Sequence, residues 1–186
     1  MAKKGKSRYA VMGMLALDDM SGYDIKRHFE TCLGSFWTES YGQIYPVLKS
    51  LVEEGFASST VHRQPGRPDR VVHSLTPSGA AELASWLEEP ADTELERNES
   101  LLKVLFGHCA RAEQTIIHLQ SFHTRRLEKI EEARQFKLFI GATAAHKPQT
   151  LFMLAAADYV IVTNEASLRW AETVIAQLQA GLHLHG

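Results

Sequence analysis

Hydrophobic spacing divides the chain into a first half of short amphipathic segments and a second half of long ones. In the first half, apolar residues recur every three or four positions in three stretches and then follow two strand-like runs joined by a proline-glycine turn. The predicted helices span 7–17, 21–33 and 40–54, the strands 56–63 and 70–75, and a further helix begins after Thr76. This order is that of a winged helix-turn-helix: a three-helix core with a β-hairpin wing, whose third helix enters the DNA major groove.

The predicted third helix, Ser40–Gly55, has the features that a recognition helix needs. Ser40 and Gln43 have the spacing of a capping box, and Gly55 suits a left-handed cap at the other end. One face is apolar, whereas the opposite face is small and polar with one cation, which suits donors directed at base edges. Pro46 lies within that outer face, and a structural kink explains this proline as well as a groove contact does.

Charge restricts where nucleic acid can bind. The chain of 186 residues has 20 Lys and Arg against 22 Asp and Glu, a net charge of −2, so DNA binding must depend on local clusters. Two basic clusters occur, an N-terminal arm and the predicted wing, although arginines at a hairpin tip are also compatible with a merely solvated turn. Their members are Lys3, Lys4, Lys6 and Arg8 in the arm, and Arg63, Arg67 and Arg70 in the wing.

The sequence YGQIYPVLKSLVEEGF, a basic proline-glycine hairpin and VVHSLTPSGAAEL together resemble the PadR family of bacterial transcription regulators. The upstream run YAVMGMLALDDMSGYDIKRHFE resembles the two opening helices of that family, and the similarity extends from Tyr9 to Leu87. The resemblance implies a DNA-binding function. By position, it implies DNA contacts at Ser40, Tyr41, Gln43, Tyr45 and Lys49 on the recognition helix and at Gly66 and Arg67 on the wing.

The second half is predicted to be helical, with an acidic linker after residue 89, a short helix near residues 101–106, a long helix over 111–140 and a final helix. The fold is therefore mainly α, with a winged helix over 1–89 and a long-helix dimerisation domain over 90–186. Apolar and small residues of the final helix alternate at three- and four-residue spacing, as in a coiled-coil seam. The seam consists of Leu154, Ala157, Ile161, Asn164, Leu168, Ala171, Ile175, Leu178 and Leu182.

Two partners for this seam are compatible with the pattern. It can pack on the long helix of the same chain, or it can face a second chain, and we favour the second chain because two amphipathic helices alone bury little surface. The segments NESLLKVLFGHCARAEQ and SLRWAETVIAQL also resemble the larger PadR-type regulators, whose last helices are similar to those of virulence-gene activators. That resemblance implies a homodimer on a pseudo-palindromic operator of double-stranded DNA, acting more often as a repressor than as an activator.

Other chemistry has little support in the sequence. The nine histidines do not have the spacing of convergent metal ligands, no nucleophile elbow or phosphate-binding loop is present, and neither an enzyme nor a cofactor is expected. No run of about 18 apolar residues indicates a membrane span, and the N-terminus lacks a signal-peptide pattern, so we expect a cytoplasmic protein without membrane partners.

Two alternatives to a simple DNA-binding regulator stay open. Phe122, Tyr159 and Trp170 are aromatic residues that can line a pocket for a small-molecule effector, although aromatic residues at helical spacing more often form core. PadR-type regulators include proteins that respond to phenolic acids and drugs, which keeps this alternative open. A near-neutral winged helix can also act as a protein-interaction module.

Overall fold

The computed structural model describes residues 5–33, 37–63, 69–92 and 98–184, with only the backbone described for 32–33 and 182–184. The chain divides into two compact units, Met1–Thr93 and Glu94–Gly186. The first unit contains α1 (Lys6–Leu17), β1 (Met20–Ser21), α2 (Gly22–His28) with a following π-helical turn (Phe29–Leu33), α3 (Tyr41–Glu53), β2 (Ala57–His62), β3 (Arg70–Leu75) and α4 (Pro77–Glu88). The predicted winged helix-turn-helix is confirmed.

The sheet of this unit has three antiparallel strands, where the sequence predicted two. The strand order is β1-β3-β2, so β3 lies in the middle, with Ser21 opposite Val72 and Val61 opposite Val71. β1 is only two residues long and too short to produce an alternating pattern. Because β1 pairs with β3 and leads directly into α2, it joins the start of α2 to the wing.

The core of the first unit forms where α1, α2 and α3 bury one face each. The side chains of Ile44, Leu48 and Leu51 on α3 are almost completely buried. The sequence pattern predicts Ala80, Leu83, Ala84 and Leu87 as the inward face of α4. Leu83 does pack on this core, but Leu87 is exposed, and its neighbour Trp86 instead stacks on Tyr9 of α1 with ring centroids 4.5 Å apart. The other fully buried large side chains of this core are Val11, Met12, Ile25 and Phe29.

The start of α4 lies against the end of α3 with no room for a side chain. A Cβ built on Gly79 would lie 2.1 Å from the backbone oxygen of Phe56. Three hydrogen bonds hold the same junction: Thr76 Oγ1 and Ser78 Oγ both donate to the Gly55 carbonyl, and the Thr76 amide donates to Phe56. Because Gly55 has a φ of 78°, the chain turns there in the left-handed region that glycine allows.

The second unit contains α5 (Glu99–Leu105), a short 3-10 turn (Gly107–Cys109), α6 (Ala112–Thr143) and α7 (Thr150–Leu184). The predicted long helices are present, and α6 continues to Thr143, three residues beyond its predicted end at residue 140. Helices α6 and α7 form an antiparallel hairpin. Polar pairs cross it along much of its length, at Lys137–Asp158, Arg134–Glu165 and His123–Glu172.

The heptad seam of α7 packs against α6 inside this hairpin, whereas from sequence we favoured a second chain as its partner. Ala157, Asn164, Leu168 and Ala171 are buried against α6, and Ile175 and Leu178 pack on the cluster around Phe122. Asn164 shows why this seam suits α6, since its side-chain oxygen accepts a hydrogen bond from Arg126 Nη1 at 3.0 Å. The remaining seam members Leu154 and Ile161 are half-buried, and the side chain of Leu182 lies outside the described residues.

Within the described part of the chain, one helical segment is long and apolar enough to cross a membrane by length and composition alone. It is Thr150–Gly181 of α7, and its most apolar window has a mean hydropathy of 1.3. Only 22% of that window is buried. A helix of this composition was not expected from the sequence, because no uninterrupted run of about 18 apolar residues occurs in the chain. A single such helix is weak evidence for a membrane span, because core helices of water-soluble proteins have the same composition.

A buried histidine occupies the middle strand of the sheet. His73 lies between Met20 and Ser59 on the neighbouring strands, and its Nδ1 atom has no hydrogen-bond partner among the described residues. Burial lowers the pKa of His73 below its usual value of 6.5, and a hydrogen bond with the Met20 backbone offsets this only in part. The imidazole is therefore neutral at pH 7.

We expect Gly79→Ala to destabilise the first unit by about 1–3 kcal/mol, because the new methyl group meets a backbone oxygen that cannot move away without breaking the α3–α4 junction. Gly13→Ala is the matched control, since nothing lies within 4 Å of a Cβ at Gly13, and alanine in a helix interior stabilises by up to about 1 kcal/mol. Urea unfolding of both variants measures the difference. Equal stability of the two would contradict the close approach at Gly79.

The stability of the first unit is expected to fall as the pH decreases from 7.5 to 5. Because the pKa of His73 is lower in the folded chain than in the unfolded chain, the unfolded chain takes up the proton at a higher pH. Lowering the pH in this window therefore stabilises the unfolded state relative to the folded state. His73→Gln should flatten this part of the pH profile of the unfolding free energy, and His62→Gln, the same substitution at an exposed position of β2, is the matched control. A parent profile already flat over this range would refute the assignment.

Candidate nucleic-acid interface

The outer face of α3 is polar and accessible. Burial of Ile44, Leu48 and Leu51 directs the opposite face of the helix to solvent, and there the side chain of Lys49 is 78% exposed. Lys49 Nζ is 3.8 Å from Glu53 Oε1, one turn later in the helix. Because both side chains are exposed, this pair is weak, and Lys49 can leave Glu53 to bind a phosphate or a base. The other exposed members of this face are Tyr41, Gly42, Tyr45 and Pro46.

The N-terminus of α3 is capped as the sequence predicted. Gln43 Oε1 accepts hydrogen bonds from the Ser40 amide at 2.9 Å and from Ser40 Oγ at 2.8 Å. Both residues are exposed, but the carbonyl oxygen of Gln43 is used within the protein. In this state Gln43 offers DNA its amide donors only, so a bidentate contact to adenine would require the cap to open.

The two exposed tyrosines of α3 form a platform beside α2. Tyr41 and Tyr45 have ring centroids 6.1 Å apart and are nearly parallel. The Tyr45 ring lies over the start of α2, where a Cβ on Gly22 would come within 2.6 Å of its Cε1 atom. Glycine at position 22 therefore lets the Tyr45 ring lie across the first turn of α2.

The wing is tied to α2 at its base by an ion pair. Arg70 Nη2 donates to Asp24 Oδ2 at 2.6 Å, and the same carboxylate accepts from the amide and hydroxyl of Ser21. Partial burial acts to raise the pKa of Asp24, but the hydrogen bonds from Ser21 and Arg70 outweigh it and the pKa lies below its usual value. Asp24 is therefore charged at neutral pH. Arg63, at the end of the other strand, is exposed.

An open cleft of about 1070 Å³ separates α3 from the wing. Its walls carry Tyr45 and Lys49 from α3, Asp24 from α2, and Arg70 and His73 from β3. Of the residues predicted from sequence to bind DNA, Tyr45, Lys49 and Arg70 line this cleft together.

Two residues of the predicted basic arm, Lys6 and Arg8, belong to the first helix and form ion pairs within the protein. Helix α1 begins at Lys6, so Lys6 and Arg8 are helical, and Lys6 is 3.9 Å from Asp92. Arg8 donates two hydrogen bonds to the Glu54 carboxylate, at 3.2 and 2.9 Å, and its guanidinium lies 5.4 Å from the Phe56 ring centroid. With its side chain only 12% exposed, Arg8 joins α1 to the end of α3 and is not presented to DNA.

Four predicted DNA-binding residues lie outside the described residues: Lys3, Lys4, Gly66 and Arg67.

Of the three aromatic residues predicted to bind a ligand, two meet in the structure and the third, Tyr159, lies apart from them. Phe122 and Trp170 meet edge to face in the α6–α7 core, with centroids 5.8 Å apart and the Arg126 guanidinium 4.5 Å from the Phe122 centroid. Tyr159 is exposed on α7. It lies eleven residues from Trp170, about 16 Å along the helix axis.

In the part of the chain that the structure describes, no three His, Cys, Asp or Glu side chains form a group able to hold a metal ion.

Two family comparisons match the two units. Residues 11–85 match the transcriptional regulator PadR-like family, and residues 96–179 match the C-terminal domain named virulence activator alpha C-term. The chain is 28% identical over 178 residues to the negative transcriptional regulator PadR of Bacillus subtilis, an alignment that covers 92% of this chain and 96% of that protein.

Solved structures of the same relative have a similar fold. The crystal structure of Bacillus subtilis PadR in complex with operator DNA has a TM-score of 0.78 and 26% identity, and covers 92% of this chain and 98% of that one. The crystal structure of the same protein in complex with p-coumaric acid has a TM-score of 0.71 at the same identity and coverage.

Proposed function

Because the chain belongs to the PadR-like family of transcriptional regulators, we propose that it binds operator DNA as a homodimer and represses transcription. The proposal depends most on the similarity over 92% of the chain to a relative solved with operator DNA. The candidate interface supports it, since an exposed helix face and the base of a wing border one cleft. The proposed role is that of a cytoplasmic DNA-binding protein and not of an enzyme.

In this proposal α3 enters the major groove with its outer face. Tyr41, Tyr45 and Lys49 contact base edges or phosphates, and the Ser40 end of the helix, with its positive dipole, lies near the backbone. The wing arginines Arg63 and Arg67 and the arm lysines Lys3 and Lys4 neutralise phosphates and provide salt-dependent affinity. Arg8 takes no part, because its guanidinium is paired with Glu54.

Dimerisation is proposed to use a second heptad stripe of α7, on the face opposite the seam. The stripe is offset by two residues from the seam and every member is exposed in the single chain. Aromatic and aliphatic residues occupy one end and small residues most of the other, which suits close approach of a helix from a second copy. Its members are Phe152, Ala155, Tyr159, Val162, Ala166, Arg169, Thr173, Ala176 and Ala180.

The two apolar faces also explain the membrane-like composition of α7. One face packs on α6 of the same chain, and the stripe is proposed to pack on the partner. A helix buried on two sides needs apolar residues around most of its circumference, as α7 has.

A second candidate function is regulation by a small aromatic acid. One observation favours it: the PadR relative has been solved with p-coumaric acid at similar coverage. In this chain the Arg126 guanidinium lies 4.5 Å from the Phe122 ring centroid, and we propose that it receives the carboxylate of the acid. A thermal shift that depends on p-coumaric acid and that Arg126→Ala abolishes would support this role.

Lys49→Ala is expected to weaken operator binding by about tenfold, because one contact to a base edge contributes about 1–3 kcal/mol. Lys103→Ala is the matched control, since Lys103 also forms an exposed pair with a glutamate four residues away, on α5. Binding to the DNA upstream of the protein's own gene, titrated by anisotropy across a salt series, measures both. If Lys49→Ala binds as the parent does, α3 does not read the major groove with this face.

Val162→Glu is expected to yield a folded monomer, because the dimer would have to bury an unpaired carboxylate at a cost of about 3 kcal/mol or more. Val160→Glu is the matched contrast: Val160 is 4% exposed and Val162 is 61% exposed, so the first substitution should instead destabilise the α6–α7 hairpin. Light scattering over a concentration series reports mass, and circular dichroism reports helicity. A dimer of parental affinity in Val162→Glu would exclude the stripe as the interface.

A further inference from the structure

The first turn of α2 connects the two elements that are proposed to contact DNA. Ser21 pairs with Val72 in the sheet, which brings α2 to the middle strand of the wing. One residue on, Gly22 lies under the Tyr45 ring of α3. Asp24 then reaches Arg70 at the base of the wing. Within the four residues from Ser21 to Asp24 the chain thus contacts both the recognition helix and the wing.

Asp24 is an unexpected residue in this place. Its carboxylate lines the cleft between α3 and the wing, on the side proposed to face a phosphate backbone. A negative charge there repels DNA, and simple electrostatics predicts that its removal strengthens binding. In the sequence, Asp24 lies three residues after Ser21, which is the spacing of a capping box and indicates only the start of a helix. The ion pair needs the tertiary fold, since Asp24 and Arg70 are 46 residues apart.

We propose that Asp24 is a positioning residue for operator binding, which acts by holding Arg70 and with it the base of the wing against α2. The inference rests on the proposed DNA-binding function. The Asp24 oxygen that accepts from Arg70 is also fixed by two hydrogen bonds from Ser21, so the guanidinium is held by a carboxylate that cannot easily turn away. This fixes the angle between the wing and α3, and hence their simultaneous fit to one duplex.

Asp24→Asn separates this role from the helix cap, because asparagine keeps one oxygen for the Ser21 amide but replaces the other with an NH2 group and removes the negative charge that holds Arg70. We expect operator affinity to fall about two- to fivefold, as for the loss of a partly exposed ion pair. Asp69→Asn is the matched control: Asp69 is exposed and lines the same cleft, so its removal should leave affinity equal or higher.

The double variant Asp24→Asn with Arg70→Gln tests whether Asp24 acts through Arg70. Once Arg70 is replaced, Asp24→Asn should cause no further loss. An Asp24→Asn variant that binds more tightly, as expected of Asp69→Asn, would overturn the proposal. So would an equal loss in both backgrounds.

Hydrogen exchange gives a readout that does not need DNA. Asp24→Asn should speed exchange of the Val71 and Val72 amides at the wing base, and Asp69→Asn should not. Unchanged exchange in Asp24→Asn would overturn the positioning role. If the parent itself fails to bind upstream DNA selectively, the proposed function fails instead, and the exchange result still decides whether Asp24 holds the wing.

Discussion

The winged helix depends on the burial of one face of α3. Ile44, Leu48 and Leu51 are almost inaccessible, so the helix has one rotational setting in which its apolar residues are covered. That setting alone determines which residues point outward. The Ser40–Gln43 cap fixes one end of the helix, and the Arg8–Glu54 pair fixes the other to α1. The outer face is therefore presented by a rigid element, as recognition of base edges requires.

Much of this half was predictable from sequence because its signals are local. Capping residues three positions apart and apolar residues at helical spacing identified α2 and α3 to within a few residues. The errors concern interactions between distant residues. Arg8 was taken for a DNA contact because nothing near it in sequence indicates Glu54, and Leu87 was placed inward because a one-residue shift changes little in a short apolar pattern.

The last helix shows a different limit. Its heptad spacing was identified correctly, yet spacing alone does not say what covers a face. α7 carries two such series, two residues apart and on opposite faces, and only the position of α6 distinguishes them. The polar member Asn164 is the informative one, since Arg126 meets it within the same chain. The stripe with Tyr159 and Val162 has the same spacing in the sequence, but it includes the polar residues Arg169 and Thr173, so the seam was the more evident of the two series.

Near-neutral charge and DNA binding are compatible once the pairing of charges is known. Lys49 and Arg70 each lie beside a carboxylate of the same unit, which reduces the net charge while keeping each cation oriented. A surface of this kind attracts DNA weakly over long distances, because paired charges cancel beyond about one Debye length. Affinity must then come from the fit of the paired cations to one duplex. Such a protein gains selectivity from low net charge, since non-specific DNA offers only the electrostatic part of the interaction.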